Sequence, residues 1–224
     1  MPTHPTLKPI VRIERGDKHY PPRLFDLCDP PRYLYVNGDL DALLMPMVAV
    51  VGSRLASPEG LINAAFFAKA LSKAGLLVVS GLARGVDGAA HQATLGLGSD
   101  HLTVAVCGAG LDVIYPKEHL SLAKNISQQG LLVSELPLGT RPKGSHFPKR
   151  NRIIAALSLG VIVIEAAERS GSLITARLAA ELGREVFAVP GSIWSPYSGG
   201  CHLLIQQGAK LVRNPNDVLE ELIY

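Results

Sequence analysis

A chain of 224 residues with 47% hydrophobic and 18% charged side chains has material for one large core or two small ones. Its 22 Lys and Arg against 19 Asp and Glu leave a formal charge of only +3, which excludes a general basic coat, so any polyanion must meet a local concentration of cations. Three scattered cysteines, Cys28, Cys107 and Cys201, give neither a disulfide framework nor a metal-ligand spacing, and no apolar run approaches the length of a membrane span.

In chain order, the start "MPTHPTLKP" lacks the succession of basic, apolar and small residues that marks a secretion signal. Residues 1–18 are expected to be flexible or poorly ordered. With the cysteine usage, this points to the cytoplasm. A proline-rich lead-in with aromatics, "HYPPRLFDLCDPPRYLYVNGDL", follows and suggests a strand at "YLYV" on a sheet edge. Short β-rich apolar runs then alternate with helical patterns: "MVAVVG", "LLVVSG", "LTVAVCG", "LLVSEL", "VIVIEAA", "EVFAVPG" and a final "AKLV". Uncharged except at their ends, these read as strands covered on both faces.

The helices between them carry recognisable punctuation. Ser57-Pro58-Glu59 supplies an N-cap, a proline at the first helical position and an early acid, and Gly75 closes that helix. "PKEHLSLAKNISQQG" and "SLITARLAAELG" also end on glycine, and Asn214 to Asp217 opens the last helix. With no repeat and no boundary, residues 19–224 are expected to form one α/β domain, a doubly wound, mostly parallel sheet with helices on both faces.

In such sheets ligands sit beyond the carboxyl ends of the strands, where loops lead into helix starts. The loops here are Gly52-Ser53-Arg54, Ser80 to Asp87, Gly108 to Asp112, the long "PLGTRPKGSHFPKRN" and "ERSGSL". Glycines let backbone amides approach an oxyanion, and helix starts add their dipole. Cations recur in four of these loops: Arg54, Arg84, the set Arg141, Lys143, Lys149, Arg150 and Arg152, and Arg169. Pro148, Lys149, Arg150, Asn151 and Arg152 fall at the start of a helix, where cations oppose the dipole; that placement implies an anion from outside.

Bland alternatives accompany these readings. Gly52 and Gly81 also suit tight turns, Asp87 suits the cap of the next helix better than a catalytic acid, and His91 suits a satisfied structural histidine. Glu135 and Glu165 end strands and suit partners for nearby arginines, and Arg152 also fits a structural tie between the fourth loop and a neighbour. "VCGAGLD" holds only part of a dinucleotide fingerprint. There is no Gly-x-Ser-x-Gly elbow and no Walker loop, and Cys201-His202 is an isolated pair. Taken alone, the residues point to an anion site without separating nucleic acid from a nucleotide.

The ordered motifs "VGSR", "SGLARGVDGAAH", "CGAGLDVIYPKEH", "SELPLGTRPKGSHFPKRNRIIAALS", "VIEAAERSGSLITARLAAELGREVFAVPGS" and "GCHLLIQQGAKLV" closely resemble the DprA/Smf family of DNA-processing proteins, from about His19 to the C-terminus. The resemblance implies an extended Rossmann-like domain that binds single-stranded DNA, protects it during natural transformation, helps load the recombinase RecA and acts as a dimer. By matching motif, Gly52, Ser53 and Arg54 would hold a phosphate, with Lys143, Phe147, Lys149, Arg150, Asn151 and Arg152 lining the same pocket. Ser80, Gly81 and Arg84 would flank it, and Gly171 and Ser172 would add amides. Phe147 would stack on a base.

Two departures from the family pattern stand out. The small helical domain and the winged-helix domain that often flank this core are expected to be absent, and His202 replaces an asparagine common before the "LI". No catalytic residue, metal or cofactor is expected. The competing readings are a nucleotide sensor and an enzyme of the LOG phosphoribohydrolase type, whose glutamate is replaced here by the stretch Ala176-Arg177-Leu178.

Overall fold

The computed structural model describes residues 8–222. Strands β1 (Val11–Glu14), β2 (Tyr33–Gly38), β3 (Met47–Val51), β4 (Leu77–Ser80), β5 (Thr103–Val106), β6 (Leu131–Ser134), β7 (Gly160–Val163), β8 (Glu185–Ala188) and β9 (Lys210–Leu211) form a single sheet in the order β1-β2-β6-β5-β4-β3-β7-β8-β9. The run from β6 to β9 is parallel throughout, and β2 and then β1 are added to it antiparallel. The helices are α1 (Pro58–Lys73), α2 (Val86–Leu95), α3 (Leu120–Gln129), α4 (His146–Leu157), α5 (Gly171–Glu181), α6 (Gly199–Gln206) and α7 (Pro215–Leu219). The α/β, doubly wound, mostly parallel sheet expected from the sequence is the observed one.

The central strands are apolar along their whole length because both faces are covered. Side chains alternate across a strand, so Met47, Ala49 and Val51 pack with Ile153, Ile154 and Ala176 from α4 and α5. Their neighbours Val48 and Val50 pack with Phe67 and Leu71 of α1 and Val86 and Ala90 of α2 on the other face. A third cluster seats Leu122, Ala123 and Ile126 of α3. The helix ends follow the sequence signals: the Ser57 side chain accepts from the Gly60 N–H, and Gly75 takes the left-handed conformation at φ 90° just past α1.

The lead-in departs from expectation in two ways. Strand pairing reaches back to Val11, inside the segment expected to be poorly ordered, because Ile13 points into the core beside Leu34 and Val36. Residues 1–7 lie outside the described residues. The "YLYV" strand is therefore not an edge: β1 covers one side of β2 and β6 the other.

The chain builds β4, β5 and β6 on one side of β3, then returns to lay β7 on the other. The crevice at that reversal is where ligands enter such sheets. Here the loops after β3 and β7 are stitched together. The Ser53 N–H donates to the Glu165 carbonyl at 2.8 Å, while the Glu165 carboxylate accepts from the Ser57 N–H at 2.9 Å and the Ser57 hydroxyl at 2.5 Å.

Candidate functional site

At this reversal a cavity of about 580 Å³ opens between Gly52, Ser53, Arg54, Asn151, Gly171 and Tyr197, with Ser172 also on its wall. A second depression of about 390 Å³ shares Arg54, Asn151 and Gly171 with it and continues over Phe147 to Lys143 and Tyr115. Together they form one groove across the carboxyl ends of β3 and β7 and the starts of α4 and α5.

Gly52 is required by close approach, since a Cβ there would lie 2.7 Å from Val86 and 2.9 Å from the Glu165 carbonyl. A Cβ on Gly171, by contrast, would meet nothing within 4 Å, so the start of α5 stands open to the groove. Ser170 caps that helix by accepting from the Ser172 N–H at 3.3 Å. An approaching anion would find the Gly171 amide beside the positive end of the dipole.

Arg54 is exposed, and its guanidinium carbon lies 5.2 Å from the centre of the Phe147 ring. The same ring also lies against Tyr115, with centroids 5.5 Å apart at 42°. Gly108 leaves room for it, because a Cβ there would come within 2.8 Å of the ring. Lys143 is exposed and forms no ion pair among the described residues. The groove therefore offers two cations without ion-pair partners among the described residues, beside an aromatic ring.

Other expected site residues are placed elsewhere. Arg150 is buried at 5% exposure, with its guanidinium donating to the carbonyls of Gly81 (2.5 Å) and Val106 and, through Nε, to the Asn151 side chain at 3.1 Å. Asp87 sits fully buried nearby and accepts from the Gly81 and Ala83 amides at 3.1 and 3.3 Å. Burial raises the Asp87 carboxyl, and Arg150 and these amides pull it back. Only a fringe of Arg150 reaches the cavity, so it is a brace under the floor, not a phosphate hook. The signal was in the sequence: Arg150 shares its helix face with Ile153, Ile154 and Leu157, the buried face of α4.

Arg152 pairs with Glu135 at 2.5 Å, both largely buried, and ties α4 to the end of β6, as the structural alternative anticipated. Ser80 is buried and donates to the Val50 carbonyl at 2.7 Å. A Cβ on Gly81 would strike the Arg150 guanidinium at 2.5 Å, so this glycine serves the brace. Arg84 is exposed but paired with Glu118 outside the groove lining. Lys149 is exposed on α4 and also lies outside the lining. The residues the sequence reading missed are Tyr115 and Tyr197; with aromatics at only 5% of the chain, any aromatic in a loop on this side of the sheet was a usable signal.

Reactive groups are scarce. Burial pushes the Cys107 and Cys201 thiols up to about 12, which keeps both protonated at neutral pH. His91 is buried, donates through Nδ1 to the Thr103 hydroxyl at 2.8 Å and is pushed down to about 3 by its burial; it is structural, but its Nε2 has no hydrogen-bond partner, so it is not the satisfied histidine expected. His202 donates to the Gly191 carbonyl at 3.0 Å and so anchors a loop. Among the described residues, no three His, Cys, Asp or Glu side chains come together as a metal site.

The chain is similar to known proteins in both sequence and fold. Residues 12–223 match the family model described as DNA recombination-mediator protein A. The chain is 51% identical to DNA processing protein DprA of Streptococcus pneumoniae over 205 residues, 92% of this chain and 72% of that protein. It is 49% identical to Protein Smf of Escherichia coli over 211 residues, 94% of this chain but only 56% of that relative's length. Among solved structures, DprA from Streptococcus pneumoniae superposes with a TM-score of 0.92 at 48% identity, covering 97% of this chain and 76% of that one. DNA processing protein A from Helicobacter pylori, described for its single-stranded DNA binding mode, superposes with a TM-score of 0.83 at 31% identity, covering 96% of this chain and 98% of that one. A molybdenum cofactor binding protein from Rippkaea orientalis, at 17% identity and a TM-score of 0.55 over 79% of this chain, shares the fold alone.

Proposed function

The chain belongs to the DNA recombination-mediator protein A family, and from that premise we propose that its groove binds single-stranded DNA with little sequence preference, without catalysing a reaction on it. One observation carries the reading: Arg54 and Lys143, brought from loops far apart in sequence, flank Phe147 with no carboxylate partner among the described residues. Cations neutralise phosphates and release counterions. An aromatic ring stacks on any base, adding about 1–3 kcal/mol without reading sequence. A groove whose two depressions hold only about 580 and 390 Å³ is expected to take one strand and not two.

The chain's place in the family supports a role in protecting incoming single strands and loading RecA onto them during DNA uptake. Two carboxylates beside the groove are committed, Glu165 to Ser57 and Asp87 to the Gly81 and Ala83 amides, which favours a binder over an enzyme. At the position where a LOG-type enzyme wants glutamate, Ala176 is buried and Arg177 pairs with Glu181 on the outside of α5. No helix of the described residues is long and apolar enough to cross a membrane.

The same reading includes a homodimer. The short strand β9 ends the sheet, Leu211 and Leu203 are exposed beside it, and a largely apolar cavity of about 610 Å³ lies between α5, β8 and α6. Uncovered edges of this kind invite pairing. Sedimentation showing a monomer at tens of micromolar protein, on the order of common interface affinities, overturns the dimer.

The deciding test of the main reading is a salt series with oligo-dT, a matching duplex and mononucleotides. Tight, salt-dependent binding of the single strand and weaker binding of the duplex are expected. Equal affinity for the duplex places DNA elsewhere on the surface. Binding of mononucleotides alone turns the cavity into a nucleotide sensor.

A further inference from the structure

Trp194 is the only tryptophan in the chain and is 89% exposed, and its neighbour Ile193 is 78% exposed. A side chain of that size ordinarily buries a large apolar area. Its position gives the exposure a meaning. Two residues further on, Pro196 and Tyr197 form a wall of the groove, so Trp194 stands within about 7 Å of that wall along the chain. Leu55, from the loop after β3 and also part of the groove lining, is 78% exposed.

The tip is held in shape. The Trp194 N–H donates to the Ser192 hydroxyl at 3.2 Å, the Ser195 N–H to the Ser192 carbonyl at 3.0 Å and the Tyr197 N–H to the Ser195 hydroxyl at 3.2 Å. Below the tip, the Ala166 N–H donates to the Tyr197 carbonyl at 2.8 Å and His202 holds Gly191, which ties the loop to the end of β7 and to α6. These bonds order the backbone that carries the solvated indole at the mouth of a cationic groove, which lowers part of the ordering cost of stacking.

We propose that Trp194 is a second base-stacking platform, taking a nucleobase of a single strand that leaves the groove at its Tyr197 end. The inference rests on the single-strand reading above and extends it: Phe147 stacks at one end, Trp194 at the other, and Arg54 with the open start of α5 holds phosphate between them. Continuity with the groove selects a nucleic-acid base as the occupant. Because stacking needs only a π-face, the platform adds affinity without adding sequence preference.

Being the sole tryptophan, Trp194 reports on its own occupancy. Its emission should be quenched as oligo-dT is added, over the same concentration range in which the anisotropy of a labelled oligo-dT rises. Trp194→Ala should weaken binding about five- to 150-fold while leaving the salt slope unchanged, and Trp194→Phe should recover most of the loss. Trp194→Ala that binds like wild type, or emission that stays constant while anisotropy shows the oligonucleotide bound, overturns the platform and leaves the groove reading standing. A Trp194→Ala protein that becomes monomeric in sedimentation while binding oligo-dT unchanged assigns the indole to a second copy of the chain and equally overturns it. Failure of wild type to bind at all by anisotropy removes the single-strand reading, and the platform with it.

Discussion

Arg54 lies over the face of Phe147, guanidinium carbon to ring centre 5.2 Å, so the cation that would meet a phosphate is positioned by the ring that would meet a base. An exposed contact of this kind contributes about 0.5–1 kcal/mol. Its larger effect is orientation: each side chain restricts the other before ligand arrives.

The two variants should therefore fail differently. Arg54→Ala should weaken oligo-dT binding for all sequences alike and flatten the slope of log affinity against log salt by about 0.7, the share of one phosphate on a single strand. Phe147→Ala should cost about 1–3 kcal/mol with the slope nearly unchanged. Because each orients the other, the double variant should lose less than the sum. Titrations at several salt concentrations measure all three.

Lys143→Ala should also lower the slope by about 0.7, since Lys143 is exposed in the groove and has no ion-pair partner among the described residues. Lys149, exposed on α4 but outside the lining, should matter less. Lys149→Ala matching Lys143→Ala in the same titration would move the strand onto the outer face of α4.

Arg150→Ala should unfold the protein more readily rather than merely weaken binding. It leaves Asp87 buried without its counter-charge and the Gly81 and Val106 carbonyls without a donor. Losing one member of a buried charge network costs about 3–5 kcal/mol. Denaturant melts should show that loss, whereas Arg54→Ala should cost no more than the contact with Phe147, about 0.5–1 kcal/mol.

The buried His91 sets a pH dependence. Its folded value is depressed to about 3 from an ordinary 6.5, so the stability it contributes is present above about 6.5 and lost as pH falls toward 3. In that window the unfolded chain takes up a proton that the folded chain refuses, at about 1.4 kcal/mol per pH unit. His91→Met should be close to neutral at pH 7, because the Thr103 hydroxyl keeps its own bond to Val78, and should flatten the acid limb of stability against pH. Chemical melts of both proteins from pH 7 to pH 4 provide the comparison.

Local chemistry made the core strands and the caps readable, since an uninterrupted apolar run and a Ser-Pro-Glu each act within a few residues. The cations were harder to sort. Arg84, Arg150 and Arg152 resemble Arg54 in sequence, yet each has a partner brought from far away: Glu118, the carbonyl of Gly81 and Glu135. Such pairings depend on the assembled sheet and leave no local spacing. Strand β1 escaped for a related reason. Its burial rests on Ile13 alone, and a four-residue segment with one inward side chain has too little pattern to distinguish it from a loose terminus.

The stitch between Ser57 and Glu165 joins positions 108 residues apart, and the β3–β7 pairing it caps begins at Val48 and Gly160. A chain emerging from the ribosome thus displays Arg54 and its loop long before the opposite wall exists. Through the synthesis of β4, β5 and β6 there is half a groove, with the α1 loop lacking its carboxylate anchor and α5 not yet made. Closing contacts so remote in sequence is slow relative to forming the local helices. On the function proposed above, nucleic acid meeting the nascent chain would find scattered cations and no shaped cleft, and capture would become available only when the second half of the sheet is in place.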